Sequence, residues 1–268
     1  MGELIILKIG GSVCTEKDEN RLQAKEETIR RIAREIKEAQ EKKEFNLILV
    51  HGAGPFGHKL VKEYEINDGL KSEKDFEVYR KTQESVKRLN GIFVKIFAEE
   101  GIELKTVVPH ECITQKRKKI VNFNITPVRG LLEKGAVPVL YGDMVPDEEL
   151  KGSVVSGDAI VAFLAKELKP DKVLLGTDVD GIFTADPKVD GKAKLVERID
   201  GGNFERILKQ AGEAKTVDVT QGMKGKLLKL KEMLQGTKAL IFNANMEGNI
   251  RKALLGEKIR ATELKFQK

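Results

Sequence analysis

Short apolar runs alternate along the chain with longer segments whose apolar positions recur at the spacing of a helix. The runs lie at 4–9, 46–51, 104–108, 136–141, 172–177 and 238–242. Helices are predicted between them near 25–43, 56–64, 75–100, 126–134, 157–168, 203–211, 223–235 and 247–255. Because runs that are apolar throughout are typical of strands buried on both faces, this alternation predicts an α/β fold with a mainly parallel central sheet.

The spacing of these elements also predicts the domain organisation. No long linker, low-complexity tract or internal repeat interrupts the chain, so we expect one sheet with two lobes, residues 1–170 and residues 171–268. Closely spaced Gly, Pro and Asp residues within 181–199 indicate hairpins there rather than crossover helices.

The composition is that of a chain able to build a sizeable core. Of its 268 residues, 40% are hydrophobic and 34% are charged. No stretch approaches the roughly 18 uncharged apolar residues that a membrane span needs, and the first segment lacks a signal-peptide layout. We therefore expect a cytoplasmic protein with no membrane partner. Cys14 and Cys112 are too few for a disulfide framework and are expected to be reduced thiols.

The formal net charge of +6 does not by itself indicate a nucleic-acid partner. Basic and acidic residues are interspersed along nearly the whole chain, a pattern typical of solvated helix faces. The one compact basic run is 116–119, Lys-Arg-Lys-Lys, and no aromatic residue precedes it closely enough to form a stacking platform. We expect no nucleic-acid binding.

A first glycine turn follows the first predicted strand, in the segment Lys8-Ile-Gly-Gly-Ser12. Ligands of open α/β sheets bind outside the carboxyl ends of the strands, and glycines let backbone N–H groups approach an anion. The segment therefore predicts a phosphate site that contains Lys8. The alternative is a plain strand-to-loop turn with an incidental lysine.

A second glycine turn follows the second predicted strand, in the segment 51–58, and matches G-x-G-x-x-G at Gly52, Gly54 and Gly57. A dinucleotide site is disfavoured because the stretch 65–75, where another strand should follow, is polar. What remains is an anion site at a helix N-terminus, beside which His58 is either functional or merely structural.

Three later segments carry further candidate chemistry. Ser156-Gly157-Asp158 opens an apolar helix and is a candidate for a functional role. The alternative is that Ser156 or Asp158 only caps the N-terminus of this helix. The acidic, glycine-rich segment 176–188 lacks the evenly spaced ligands of a calcium loop. The segment 220–226 begins a helix with two lysines, which oppose the helix dipole unless an anion is bound there.

Taken in order, the segments KIGGS, HGAGPFGH, SGDA, TDVDGIFTADP and QGMKGK resemble the amino acid kinase family. The segment HGAGPFGH, which ends in His58, is similar to the corresponding segment of the isopentenyl phosphate kinase branch of this family. The resemblance implies an open three-layer αβα sandwich, an N-terminal lobe for the phosphate acceptor, a C-terminal lobe for ATP, and a homodimer. It also implies transfer of the γ-phosphoryl group of ATP, with Mg²⁺, to isopentenyl phosphate in isoprenoid biosynthesis by the alternative mevalonate route.

The resemblance further implies a role for individual residues. The ATP phosphates would be contacted by Lys8, Gly10, Gly11 and Ser12, with Lys17 supplying charge near the transition state, and the nucleotide would be bordered by Asp178, Gly222 and Lys226. The acceptor would be contacted by Ala53, Gly54, His58 and Gly157, while Asp158 would hold the lysines in position. No protein ligand to a metal is predicted. One departure is Gln221, where many relatives have a glycine.

Other functions remain open at this point. A kinase of the same fold could act on UMP, a carboxylate, carbamate or a phosphonate, and a non-catalytic nucleotide-binding protein could use the same scaffold. A phosphate acceptor is favoured by four candidate cationic residues, Lys8, Lys17, His58 and Lys226. A second anion close to the ATP phosphates requires such extra positive charge. The helix near 75–100 offers apolar residues for the acceptor's tail, but at helical spacing most of them are expected to be core.

Overall fold

The computed structural model describes residues 2–16, 22–185, 190–213, 231 and 237–265. The strands are β1 (Leu4–Ile9), β2 (Asn46–His51), β3 (Leu104–Thr106), β4 (Ile113–Lys116), β5 (Lys119–Phe123), β6 (Val137–Tyr141), β7 (Asp143–Asp147), β8 (Lys151–Val155), β9 (Lys172–Thr177), β10 (Arg198–Asp200), β11 (Lys238–Asn243) and β12 (Ala261–Lys265). The helices are α1 (Gly11–Cys14), α2 (Glu26–Lys42), α3 (Pro55–Glu63), α4 (Glu73–Glu99), α5 (Pro109–Cys112), α6 (Thr126–Glu133), α7 (Gly157–Leu168), α8 (Phe204–Glu213) and α9 (Asn249–Leu255). Ile66–Asp68 form a short 3₁₀ helix.

An eight-stranded sheet forms the centre of the molecule, in the order β10-β12-β11-β9-β1-β2-β6-β3. Every neighbouring pair is parallel except β11 and β12, so the prediction of a mainly parallel sheet is confirmed. The apolar run of β1 is buried on both faces, with Ile5 and Leu7 in one core and Ile6 in the other. Such two-sided burial explains why its sequence is apolar rather than alternating.

Helices cover both faces of this sheet and make the predicted three-layer sandwich. The core on one face contains apolar residues of α2, α4 and α9, and the core on the other contains those of α6, α7 and α8. In α4, Val86, Leu89, Phe93 and Ile96 belong to the first core, as their helical spacing predicts. Within the described residues, no helix is long and apolar enough to cross a membrane.

The expectation of a single sheet was wrong, because a second sheet of four strands lies beside the first, in the order β5-β4-β7-β8. Its strands are short and mix charged with apolar residues, so no apolar run reveals them. Asp147 holds this sheet together by accepting hydrogen bonds from Lys118 N (2.9 Å) and Ser153 Oγ (2.7 Å). Although burial alone would raise the pKa of Asp147, these and other hydrogen bonds hold it well below its usual range.

The basic run at 116–119 forms the turn between β4 and β5. Arg117 and Lys118 have positive φ angles of 48° and 65°. Arg117 pairs with Glu149, and Lys118 Nζ lies 2.8 Å from Asp68 Oδ1. The run is thus part of a hairpin turn whose charges are matched by nearby carboxylates.

Smaller differences concern the second half of the chain. The predicted hairpin within 181–199 is confirmed by an antiparallel bridge between Phe183 and Leu195. Strands β10 and β12 were not predicted, and the helix predicted at 223–235 lies outside the described residues apart from residue 231.

Both cysteines are free thiols, and burial raises the pKa of Cys14 to about 12.

Candidate functional site

A cleft opens at the edge of the main sheet where β1, β2 and β6 end. Ile9 pairs with His51, and His51 pairs with Tyr141, so the three strands end at the same level. The turns that follow these strands, together with the N-terminus of α7, enclose a cleft of about 270 Å³. Its lining includes Lys8, Gly11, Ser12, Ala53, Gly54, His58, Gly157 and Asp158, all of them predicted site residues. The sheet therefore brings together segments that are far apart in the sequence.

Lys8 is a cationic residue that lines the cleft. Its Nζ lies 2.7 Å from Asp158 Oδ1, and the side chains of Lys8 and Asp158 are 13% and 41% exposed. Lys8 comes from β1, whereas Asp158 lies in the first turn of α7, next to the N-cap Ser156 whose side chain accepts a hydrogen bond from Ala159 N. The carboxylate thus fixes the ammonium group at the cleft, and Ser156 satisfies the start of the helix.

The two glycine turns approach each other more closely than side chains would allow. A Cβ atom added to Gly52 would lie 2.4 Å from Gly11 N, and one added to Gly11 would lie 2.6 Å from Gly54 N. Gly54 has a φ of +52°, and its added Cβ would lie 2.2 Å from Thr15 Oγ1. Glycine is therefore required for this backbone contact, which lines the cleft.

Replacing Gly52 with alanine is expected to separate the two turns and to abolish most of the activity. The clash is with backbone rather than a flexible side chain, so we expect the free energy of unfolding to fall by about 1–3 kcal/mol, as for other overpacked sites. Gly91, in the middle of α4, has nothing within 4 Å of an added Cβ. Gly91→Ala is the matched control and should stabilise the helix by about 0.5–1 kcal/mol without loss of activity. Thermal unfolding and turnover measure both effects, and equal behaviour of the two variants would contradict the packing argument.

His58 lies in the first turn of α3, exposed at the rim of the cleft. Pro55 occupies the first turn of this helix, and Gly54 O accepts hydrogen bonds from Gly57 N and His58 N, both at 3.1 Å. Gly54, with its positive φ, thus begins α3, and His58 in the first turn of that helix lines the same cleft as Lys8 and Gly157.

His51, by contrast, is a buried structural residue. Its ring stacks on Phe93 at a centroid distance of 4.3 Å, and its Nε2 lies 3.3 Å from Asn90 Oδ1. Burial lowers the pKa of His51 to about 4, so the ring is neutral near pH 7. It holds the end of β2 in place, from which the second glycine turn departs.

Asp143 and His110 form a further ion pair beside the cleft that sequence reasoning missed. Asp143, which lines the cleft, is buried, and its Oδ2 lies 2.7 Å from His110 Nδ1. Burial raises the pKa of Asp143, and the hydrogen bond to Asp143 raises the pKa of His110. Asp143 could have been found because it comes two residues after the predicted strand 136–141, whereas His110 gives no such signal.

The Asp143–His110 pair is expected to make stability fall as pH rises. His110 has a folded pKa above its usual 6.5, so its stabilisation is complete below about pH 6.5 and is lost as pH rises through the folded value. The raised pKa of Asp143 acts in the same direction, beginning as pH rises above the usual carboxyl value of 3.8. Chemical unfolding of the wild type should show this loss as pH rises above about 6.5. The loss should disappear in Asp143→Asn and persist in Asp68→Asn, which removes an exposed carboxylate. A wild-type stability that is constant or rises above pH 6.5 would contradict the pairing.

The predicted nucleotide loop adjoins the first glycine turn. Gly10 N donates a hydrogen bond to Gly176 O at 2.9 Å, which ties the turn after β1 to the end of β9. Asp178 lies two residues beyond Gly176 and does not line the cleft itself. In the same loop, Asp180 contacts Asn243 Nδ2 at 3.2 Å and Arg260 Nε at 3.0 Å.

Three predicted site residues, Lys17, Gly222 and Lys226, lie outside the described residues, as does Gln221. Among the described part of the chain, no group of three or more His, Cys, Asp or Glu side chains could hold a metal ion.

A family model described as the amino acid kinase family matches residues 3–243. The chain belongs to the amino acid kinase family.

Relatives within the amino acid kinase family share nearly the whole chain. The isopentenyl phosphate kinase of Methanothermobacter thermautotrophicus is 39% identical over 97% of this chain and 98% of its own length. The isopentenyl phosphate kinase of Methanocaldococcus jannaschii is 37% identical over 98% of this chain and 99% of its own length. A solved structure described as isopentenyl phosphate kinase superposes with a TM-score of 0.82 at 35% identity, covering 98% of this chain and all of that one.

Proposed function

We propose that this protein is a kinase that transfers the γ-phosphoryl group of ATP to isopentenyl phosphate, forming isopentenyl diphosphate and ADP. The observation that carries this proposal is the convergence of Lys8 and His58 on one cleft between two glycine turns. The proposal is also supported by a sequence identity of 39% to a relative that is named isopentenyl phosphate kinase.

The proposed roles divide the cleft into a donor side and an acceptor side. Lys8, Gly10, Gly11 and Ser12 would contact the ATP phosphates, and Asp178 would border the nucleotide. Ala53, Gly54, His58 and Gly157 would contact the acceptor, while Asp158 positions Lys8. Lys17, Gly222 and Lys226 are proposed for the donor side from the family resemblance alone.

Electrostatics explain why the acceptor side carries a histidine. Two unit negative charges about 5 Å apart at an effective dielectric constant near 20 repel by roughly 3 kcal/mol, and a phosphate monoester carries more than one charge near pH 7. Hydrogen bonding to such a dianion favours the protonated form of His58. A carboxylate acceptor would need less compensating charge.

The proposed reaction is a direct in-line displacement. An oxygen of the acceptor phosphate forms a bond to the γ-phosphorus while the bond from that phosphorus to the bridging oxygen of ADP breaks, and ADP leaves with the electron pair. No protein nucleophile is required, and Lys8 would stabilise charge on the transferring group. Mg²⁺, which commonly binds through substrate phosphates, would be held mainly by ATP oxygens and would neutralise part of their charge.

A small hydrophobic cluster lies beside the cleft and offers an apolar surface for the acceptor's tail. Val154 lines the cleft and packs against a cluster that contains Val61, Leu70, Val78 and Met144. Tyr79 and Phe76 of α4 pack against the same cluster. We propose that the tail lies on this side of the cleft.

The wider setting of the enzyme is proposed on the same resemblance. Residues 1–170 would form the acceptor lobe and residues 171–268 the ATP lobe. We propose a cytoplasmic homodimer that acts on small molecules, in isoprenoid biosynthesis by the alternative mevalonate route.

A panel of acceptors tests the proposal. The protein is incubated with Mg²⁺-ATP and isopentenyl phosphate, UMP, glutamate, carbamate or a phosphonate, and ADP release is followed. Isopentenyl phosphate should give the highest kcat/KM. A lead by UMP or a carboxylate would overturn the acceptor assignment, while ATP binding without turnover of any acceptor would favour a nucleotide-binding protein. Binding of NADH, measured by fluorescence, would favour an oxidoreductase.

A further inference from the structure

A buried carboxylate on α2 lies outside the cleft and is not used by the proposed reaction. Glu35 is 4% exposed, although it belongs to a helix whose other acidic residues face solvent. Its Oε1 accepts a hydrogen bond from Gly248 N at 3.0 Å. Its Oε2 accepts hydrogen bonds from Ile250 N at 2.9 Å and Arg251 N at 3.2 Å. A charged group with this many backbone donors holds those donors in one arrangement.

These donors are the unsatisfied N–H groups at the start of α9. Gly248, the N-cap residue, has a φ of +78° and offers no side chain to cap the helix. Glu35 therefore replaces the missing cap from another element of the fold. Arg31, one turn earlier on α2, pairs with the same carboxylate and also donates a hydrogen bond to Ala244 O.

The segment that Glu35 and Arg31 hold is in contact with the donor side of the cleft. Ala244 N donates to Thr177 O at 2.8 Å, and a Cβ added to Gly176 would lie 2.9 Å from Ala244 Cβ. Gly176 O in turn accepts the hydrogen bond from Gly10 N. A continuous series of contacts therefore joins the buried carboxylate to the first glycine turn.

A second series of contacts reaches the acidic loop. Asn249 Nδ2 donates to Asn243 O at 2.9 Å, and Asn243 Nδ2 donates to Asp180 Oδ1 at 3.2 Å. Asn249 is the first residue of α9 and lies between Gly248 and Ile250, whose N–H groups donate hydrogen bonds to Glu35. Both series begin at the Arg31–Glu35 pair and end at segments assigned to ATP.

We propose that Glu35, with Arg31, is a positioning residue for the nucleotide. By fixing segment 243–249 against the end of β9, it sets the position of Gly10 and of the loop that contains Asp178. This inference rests on the proposed ATP side of the cleft. The acceptor side lies one contact further along, across the close approach of Gly11 to Gly54, so its geometry should depend on Glu35 much less than that of the ATP side does.

The test compares Glu35→Gln with Glu38→Gln. Glu38 lies on the same helix and contacts α9 through Arg251 Nη1 at 3.1 Å, but its side chain is 49% exposed. Glu35→Gln should raise the Kd for ATP, measured by calorimetry without acceptor, by about tenfold. At saturating ATP, the KM for isopentenyl phosphate should stay within twofold of the wild type. Glu38→Gln should leave both values unchanged.

A purely structural role for Glu35 would lower the melting temperature without this division between substrates. The inference is overturned if Glu35→Gln binds ATP as the wild type does, or weakens both substrates equally. If Glu35→Gln does not fold, Arg31→Met decides, since it removes the link to Ala244 and leaves the cap in place. A Kd for ATP raised at least threefold supports the inference, and an unchanged Kd overturns it. Because the calorimetry uses ATP alone, a wrong acceptor assignment would not alter its outcome.

Discussion

Replacing Lys8 with methionine is expected to lower kcat for isopentenyl phosphate by about 10²–10³-fold, the range seen when one preorganised donor to developing charge is removed. Lys8 lines the cleft, and its Nζ is held 2.7 Å from Asp158 Oδ1. Methionine keeps much of the length and apolar character of the side chain but removes the charge. Steady-state kinetics at saturating ATP and acceptor measure the effect.

Lys172→Met is the matched control for this variant. Lys172 also lies in a strand of the main sheet, and its Nζ pairs with Glu3 Oε1 at 2.9 Å. It is the first residue of β9, however, and so lies at the amino ends of the parallel strands, whereas the cleft lies at their carboxyl ends. It should keep wild-type kcat. A Lys8→Met enzyme within threefold of the wild type would exclude Lys8 from transition-state stabilisation.

Replacing His58 with alanine is expected to reduce kcat/KM for isopentenyl phosphate by about 10–100-fold. A hydrogen bond to a charged group contributes about 1.5–3 kcal/mol, and 1.4 kcal/mol corresponds to a tenfold change. The KM for ATP should change by less than twofold, because His58 is proposed to contact the acceptor rather than ATP. Since His58 is exposed at the rim of the cleft, its loss should cost little stability.

Lys59→Ala provides the control for the loss of a basic group on α3. Lys59 is the next residue of the helix and does not line the cleft. Its removal should change kcat/KM by less than threefold. If His58→Ala turned over isopentenyl phosphate as the wild type does, the assignment of a monophosphate acceptor would lose its main physical support.

The central sheet and the cleft could be predicted because their signals are local. An apolar strand such as 4–9 that runs directly into two glycines identifies both the strand and the turn. Since parallel strands end at one edge of a sheet, Lys8 and His58 could be expected to meet without knowledge of their distance.

The remaining features depend on contacts between distant segments. The strands of the second sheet are short and mix charged with apolar positions, as in Lys151–Val155, so no periodicity distinguishes them from loops. In the sequence, nothing distinguishes Glu35 from the other acidic residues of an amphipathic helix. Only the position of α9 shows that its carboxylate caps another helix.

A crystal structure of the protein with isopentenyl phosphate and a non-hydrolysable ATP analogue tests the central claim most directly. The acceptor phosphate should lie within hydrogen-bonding distance of His58, and the γ-phosphate analogue within hydrogen-bonding distance of Lys8, with both in the cleft between the two glycine turns. Phosphates bound elsewhere, or in this cleft but away from both side chains, would contradict the account.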